Sequence, residues 1–129
     1  MKVVVDTNIF LAVALDEPEK ERIVEATAGR DIVSPEILPY EIGNALTALI
    51  KRRKISKNEA QELFEITQRI PVKLVSVDIP KALAIAARFN IYAYDAYFIQ
   101  CALAMSCPLA TLDSRLKEVA RSFNIDLVE

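Results

Sequence analysis

Apolar residues along the chain follow two rhythms: short unbroken runs rich in β-branched side chains, and longer stretches with apolar positions three and four apart. The first rhythm reads as strands buried on both faces, the second as amphipathic helices. Val3-Val4-Val5 is the clearest run and predicts a central strand of a parallel sheet. It stops abruptly at Asp6-Thr7-Asn8, where Thr7 or Asn8 could cap a helix over Ile9–Leu15. Asp16-Glu17-Pro18 breaks that helix. Pro18 suits the first turn of the next, which reaches about Ala28 and stops at Gly29. Asp31–Ser34 is a second strand. A third helix starts near Glu36, with Pro39 in its first turn and Leu38, Ile42, Ala45, Leu46 and Leu49 as its apolar stripe. It ends in the basic run Lys51-Arg52-Arg53-Lys54.

Ser56 and Glu59 have the spacing of a capping box and open a fourth helix. Val72–Val77 is a third strand, Ile79–Phe89 a fifth helix stopped by Asn90, and Tyr94–Met105 a sixth helix, apolar nearly all round and therefore buried. Leu109–Leu112 is a fourth strand ending in Asp113; Ser114–Phe123 is the last helix and Asp126–Val128 a fifth, short strand. Strands that alternate with helices predict the α/β class, with parallel strands and helices on both faces, in a single domain over residues 1–129. The strands before Asp6 and Asp113 are the best candidates for the middle of the sheet. If they are neighbours where the strand order reverses, both carboxylates face one crevice.

Composition narrows the chemistry. Of 129 residues, 53% are hydrophobic and 26% charged, and the net charge is −2, so no global positive field advertises a polyanion partner. The apolar N-terminal run is interrupted too early for a secretory segment, and no run approaches the length of a membrane span. Cys101 and Cys107 lack the number and partners for a disulfide framework or a zinc site; they read as core thiols in a reducing, cytoplasmic setting. There is no histidine, and the two glycines, Gly29 and Gly43, form no phosphate-cradling loop. Carboxylates, hydroxyls, amides, lysines and arginines are what remains.

Four carboxylates stand out. Asp6 and Asp113 follow strands; Glu41 and Asp95 lie near helix starts, beside apolar stripes, where backbone dipoles favour negative charge. Each also has a plain reading: Asp6, Asp95 and Asp113 as helix caps, Glu41 as a solvated edge residue. Gathered at one rim, however, like charges raise one another's pKa and call for a cation. Oxygen-only ligands suit Mg²⁺ or Mn²⁺, which bind phosphates and activate water without a histidine base.

The ordered set Val-Val-Val-Asp6-Thr7-Asn8, Glu41 within Pro-Tyr-Glu-Ile-Gly-Asn-Ala-Leu, Asp95 within Tyr-Asp-Ala-Tyr-Phe-Ile-Gln-Cys-Ala, and Thr111-Leu112-Asp113 resembles the PIN-domain ribonucleases, most closely the VapC-type toxins of toxin–antitoxin pairs. The resemblance spans nearly the whole chain. It implies a three-layer α/β/α fold with a central, mostly parallel five-stranded sheet. It also implies a Mg²⁺- or Mn²⁺-dependent endoribonuclease acting on single-stranded RNA. Asp6, Glu41, Asp95 and Asp113 match the family's acidic quartet, and Thr7, Asn8 and Thr111 match polar positions that steady the metal, its waters or the carboxylates. On this reading Asp6 and Asp95 ligate the principal metal with Asp113 close by, and Glu41 acts through water or holds a second ion. A homodimer and a small antitoxin laid over the acidic crevice are further implications.

Other readings compete. A PIN nuclease of RNA maturation or decay would need no antitoxin. A non-catalytic binding module would keep the carboxylates for structure. A phosphoacceptor receiver domain would use Asp78, but Pro80 and the missing lysine after Leu112 speak against it. Lys51, Arg52 and Arg53 could touch RNA phosphates, or simply match the dipole at a helix C-terminus. Tyr92, Tyr94 and Tyr97 could stack a base or pack in the core.

Overall fold

The computed structural model of the chain describes residues 1–128. Four parallel strands, β1 (Lys2–Val5), β2 (Asp31–Pro35), β3 (Lys73–Val75) and β4 (Leu109–Ala110), form a sheet in the order β3-β2-β1-β4. Between β1 and β2 run α1 (Thr7–Ala14) and α2 (Lys20–Thr27); between β2 and β3, α3 (Leu38–Lys51) and α4 (Lys57–Gln68). Then come α5 (Ile79–Phe89) and α6 (Ala93–Met105) before β4, and α7 (Ser114–Ser122) after it. Helices α1 to α4 pack among themselves, while α6 packs on β1 and β2 and carries α5 and α7. This is the expected α/β/α arrangement.

Valines make β1 the centre. Val3, Val4 and Val5 are at most 1% exposed, as a strand covered on both faces requires. The chain steps outward from β1 to β2 and β3, then returns across the sheet to place β4 on the free edge of β1. The strand order therefore reverses between β1 and β4, where open α/β sheets leave a crevice at the carboxyl ends of their strands. Asp6 and Asp113 follow those two strands.

Several expected boundaries shift for local reasons. The sheet has four strands among the described residues, not five. The expected fifth strand is reduced to one parallel bridge, Leu127 to Leu109, flanked by backbone bonds from Leu109 N to Asp126 O and Val128 N to Leu109 O, both 2.9 Å. Strand β4 itself stops at Ala110, because Thr111 and Asp113 turn into hydrogen bonds with Asp6 and α7 and leave little ladder to extend. Neither Thr7 nor Asn8 caps α1: the helix starts at Thr7, and Asp6 occupies the N-cap. Helix α6 starts one residue earlier than expected, after Tyr92, so Asp95 sits in its first turn without capping it.

Other signals hold. Ser56 and Glu59 form both bonds of the capping box. Asn90 ends α5 in the left-handed conformation (φ 54°), and Gly29 follows α2 at φ 75°, the conformation that most favours glycine. Cys101 and Cys107 are free, and burial, with the neighbouring Cys107 adding to it, pushes Cys101 up to about 12, far from thiolate chemistry.

Helix α6 is the support on which the sheet rests. Phe98 and Ile99 are fully buried on it, and the buried Gln100 accepts a hydrogen bond from Asp78 N at 3.2 Å, tying α6 to the start of α5. Phe98→Ala should cost about 3–5 kcal/mol of stability, read as a fall in the urea midpoint at unchanged slope.

Candidate active site

Asp6 is 6% exposed at the end of the central strand. A carboxylate tolerates such a place only if its oxygens are satisfied, and here both are. Oδ1 accepts from Thr7 N at 2.7 Å, and Oδ2 accepts from the Thr111 hydroxyl at 2.7 Å. The Thr111 oxygen in turn accepts from Asp113 N at 3.1 Å and from Asn8 Nδ2 at 3.4 Å. Asn8 Oδ1 accepts from Leu112 N at 3.1 Å. The first turn of α1 and the loop leaving β4 are thus laced together across the switch point by Asp6, Asn8 and Thr111.

The other carboxylates arrive from three further elements. Asp113 is the N-cap of α7, its Oδ1 accepting from Leu116 N at 3.0 Å, so the capping role is real. Glu41 lies in the first turn of α3; its Oε2 accepts from the Thr7 hydroxyl at 3.1 Å, while its buried Oε1 has no hydrogen-bond partner. Asp95 is half-buried in the first turn of α6. Thr7 therefore joins Asp6 to Glu41 with its amide and its hydroxyl.

The electrostatics show that the four side chains share one field. Burial pushes Asp6 up to about 6, against the pull of the Thr111 and Thr7 hydrogen bonds, and the charges of Asp95 and Asp113 push the same way as burial. Burial likewise pushes Glu41 up to about 7; the Thr7 hydroxyl opposes this, and Asp6 and Asp95 add to it. Asp95 is raised by burial and then by Asp113. The salt bridges formed between described residues, Lys20–Asp16, Lys81–Asp78 and Arg115–Glu118, all lie elsewhere.

Among the described residues, no three acidic, histidine or cysteine side chains stand close enough to form a ready-made metal cage. The carboxylates feel one another without converging on a single point. Mg²⁺ keeps several waters and takes only one or two carboxylates directly, so a ready-made cage is not a requirement for it. The orphaned Glu41 Oε1 and the oxygen-only donor set are two further features that suit a hydrated hard cation.

The remaining expected residues fall differently. Lys51, Arg52 and Arg53 are exposed at the far end of α3, about 15 Å along the helix from Glu41 at roughly 1.5 Å per residue. Asp78 follows the edge strand β3 and caps α5 through Lys81 N at 3.1 Å, a structural role rather than a phosphoacceptor's. Tyr97 is half-buried against Tyr94, and Tyr92 is 83% exposed. Two residues escaped the sequence reading: Tyr40 and Asn44, which with Glu41, Thr7 and Tyr94 line a cavity of about 310 Å³. Helical spacing was the available signal, since Asn44 lies three residues beyond Glu41 on the same face of α3.

A carboxylate raised above its ordinary value binds its proton more tightly in the folded chain than in the unfolded one. Stability from this source is present below the ordinary carboxylate range and lost as pH rises through about 6 for Asp6 and about 7 for Glu41. Metal-free protein should therefore melt at a lower temperature at about pH 8 than at about pH 5. Asp6→Asn should shrink that difference in thermal scans, and Mn²⁺ should raise the midpoint more at the higher pH.

The sequence matches the PIN domain family over residues 3–122. It is 27% identical over 123 residues to a protein named Ribonuclease VapC3 from Pyrobaculum aerophilum, covering 92% of this chain and 94% of that one. Among solved structures, PAE2754 from Pyrobaculum aerophilum superposes with a TM-score of 0.72 at 18% identity, covering 99% of this chain and 84% of that one. VapBC2 from Rickettsia felis, solved bound to a promoter DNA fragment, gives 0.67 at 17% identity, covering 98% and 97%. At these identities the structures speak for the fold, and the family match for membership: the chain belongs to the PIN domain family.

Proposed function

We propose that the chain is a divalent-metal-dependent endoribonuclease that cleaves single-stranded RNA at the crevice between β1 and β4, and that it is the toxin of a toxin–antitoxin pair. The observation that carries this reading is the gathering of four carboxylates at the ends of β1 and β4 and the starts of α3 and α6, with Asp6 buried and Glu41 and Asp95 half-buried, in a chain of the PIN family. The similarity to a protein named as a ribonuclease supports it. Asp6 and Asp95 would hold the principal Mg²⁺ or Mn²⁺ with Asp113 near. Such an ion supplies charge neutralisation at the phosphate and a water acidic enough to act as nucleophile.

The chain's own groups do the rest. Thr7 and Thr111 fix the Asp6 carboxylate, so its oxygens are oriented before substrate arrives. The Thr7 hydroxyl fixes Oε2 of Glu41 and so orients its carboxyl group in the first turn of α3. Burial, with the charges of Asp6 and Asp95 adding to it, holds Glu41 above the ordinary carboxylate range. The exposed Lys51, Arg52 and Arg53 would meet the RNA backbone at a distance from the reacting bond.

A homodimer and a small antitoxin complete the reading. The VapBC2 structure is that of a complex between two different proteins, and an arginine or lysine of such a partner would satisfy the acidic crevice. The two free thiols, Cys101 buried and Cys107 half-buried, fit a reducing, cytoplasmic setting. Among the described residues no helix is long and apolar enough to cross a membrane. A PIN nuclease of RNA maturation would share the chemistry and lack the partner; co-purification of a short protein from the native source separates the two.

Asp6→Asn should abolish Mn²⁺-dependent cleavage of mixed tRNA, rRNA and mRNA while leaving the circular dichroism spectrum unchanged; persistent cleavage by a clean preparation would falsify the assignment. Thr111→Val removes the donor to Asp6 Oδ2 without removing a carboxylate, and should weaken Mn²⁺ binding in calorimetry, or activity, by roughly 10- to 100-fold.

A further inference from the structure

A tyrosine precedes an acidic residue twice at the site: Tyr40-Glu41 in the first turn of α3 and Tyr94-Asp95 in the first turn of α6. Each tyrosine thus stands one residue before a carboxylate of the acidic set. Both rings are unusually open for large aromatic side chains, Tyr40 at 75% and Tyr94 at 56% exposure, and both line the same cavity of about 310 Å³ that reaches Glu41 and Thr7. Tyr94 is braced edge-on against Tyr97, with ring centroids 6.0 Å apart and planes at 84°. The Asn44 amide is exposed on the same cavity wall and makes no hydrogen bond to a described residue. A second cavity of about 430 Å³, lined by Tyr97, Val77 and Ile79, shares Ile37 and Tyr40 with the first.

We propose that Tyr40 and Tyr94 form a base-binding slot beside Glu41, which holds a nucleobase adjacent to the scissile phosphate by stacking while Asn44 hydrogen-bonds its edge. The inference rests on the RNA-cleaving reading above. Charge selects the part of the strand that enters. None of the described residues lining the cavity is cationic, so it offers nothing to grip a phosphate, whereas a base is neutral and has an aromatic face to set against a tyrosine. Sequence-specific RNA recognition works on splayed single-stranded bases, stacked on aromatic rings and read along their edges by hydrogen bonds. Because Glu41 and Thr7 belong to the slot and to the acidic site alike, a base lodged there registers the neighbouring phosphodiester against the reacting groups.

The test is steady-state cleavage of a short single-stranded RNA in Mn²⁺ by the unsubstituted protein and by Tyr40→Ala, Tyr94→Ala, Tyr40→Phe, Tyr94→Phe and Asn44→Ala, beside Mn²⁺ calorimetry. Stacking on one aromatic ring corresponds to roughly ten- to hundredfold in affinity. Each alanine variant should raise KM by about that factor with little change in kcat or Mn²⁺ affinity. The phenylalanine variants, which keep the ring, should stay near the unsubstituted KM, and Asn44→Ala should relax base preference next to the cut. A 2-aminopurine placed at that position should be quenched on binding in the unsubstituted protein and not in the alanine variants. If the unsubstituted protein cuts RNA and both alanine variants keep its KM, the slot is overturned and the nuclease reading stands. If the unsubstituted protein neither cuts nor binds the RNA, both fall. If the alanine variants keep RNA kinetics but lose a co-purifying protein or self-association, the tyrosines serve a protein contact and the proposal is overturned.

Discussion

The hydrogen bond from the Thr111 hydroxyl to Asp6 Oδ2, at 2.7 Å, is the contact on which the rest of the crevice depends. It joins the ends of β1 and β4, two strands far apart in sequence, at the point where the strand order reverses. A buried carboxylate at the end of a strand of valines would otherwise be a liability, since desolvating an ionised group without partners costs several kcal/mol. Thr111 and the amide of Thr7 satisfy it. Thr111 also passes the connection on, to Asp113 N and to Asn8, so the loop entering α7 is set by the same oxygen.

That arrangement leaves a residue of unfavourable electrostatics. Asp6 and Glu41 remain above their ordinary range despite their hydrogen bonds, because burial and their acidic neighbours outweigh those bonds. The chain thus stores negative charge in a place where folding alone would prefer apolar packing. Local rules of stability are expected to fail most often at functional sites, and this acidic set is where they fail here. The surrounding structure is stable enough to carry the misfit: α6 lies on the sheet with Phe98 and Ile99 fully buried.

Helix starts recur as the means of placing function. Asp6 and Asp113 are N-caps, and Glu41 and Asp95 lie in first turns, so all four carboxylates sit near the positive ends of helix dipoles. The dipoles soften the repulsion without neutralising it. Capping does not remove a carboxylate from the acidic set: Asp113 caps α7 through Leu116 N, and its charge still acts on Asp6 and Asp95. The tyrosines preceding Glu41 and Asp95 inherit the same placement, which brings aromatic faces and carboxylates to one cavity.

Periodicity alone was enough to identify the class, the parallel sheet, the seven helices and the capping box at Ser56, because each depends on side chains near one another in sequence. It also marked Asp6, Glu41, Asp95 and Asp113 as carboxylates out of place. What it could not supply was proximity. That β4 lies beside β1, that Thr111 reaches Asp6 and that Glu41 keeps an unpartnered oxygen all depend on strand order and packing between distant segments. The same holds for the fifth strand, which local pattern favours and which β4, bent away toward Asp6, cuts down to a single bridge at Leu127. Tyr40 and Asn44 were illegible for a related reason: an exposed tyrosine on a helix is unremarkable until a second helix brings Tyr94 to the same cavity.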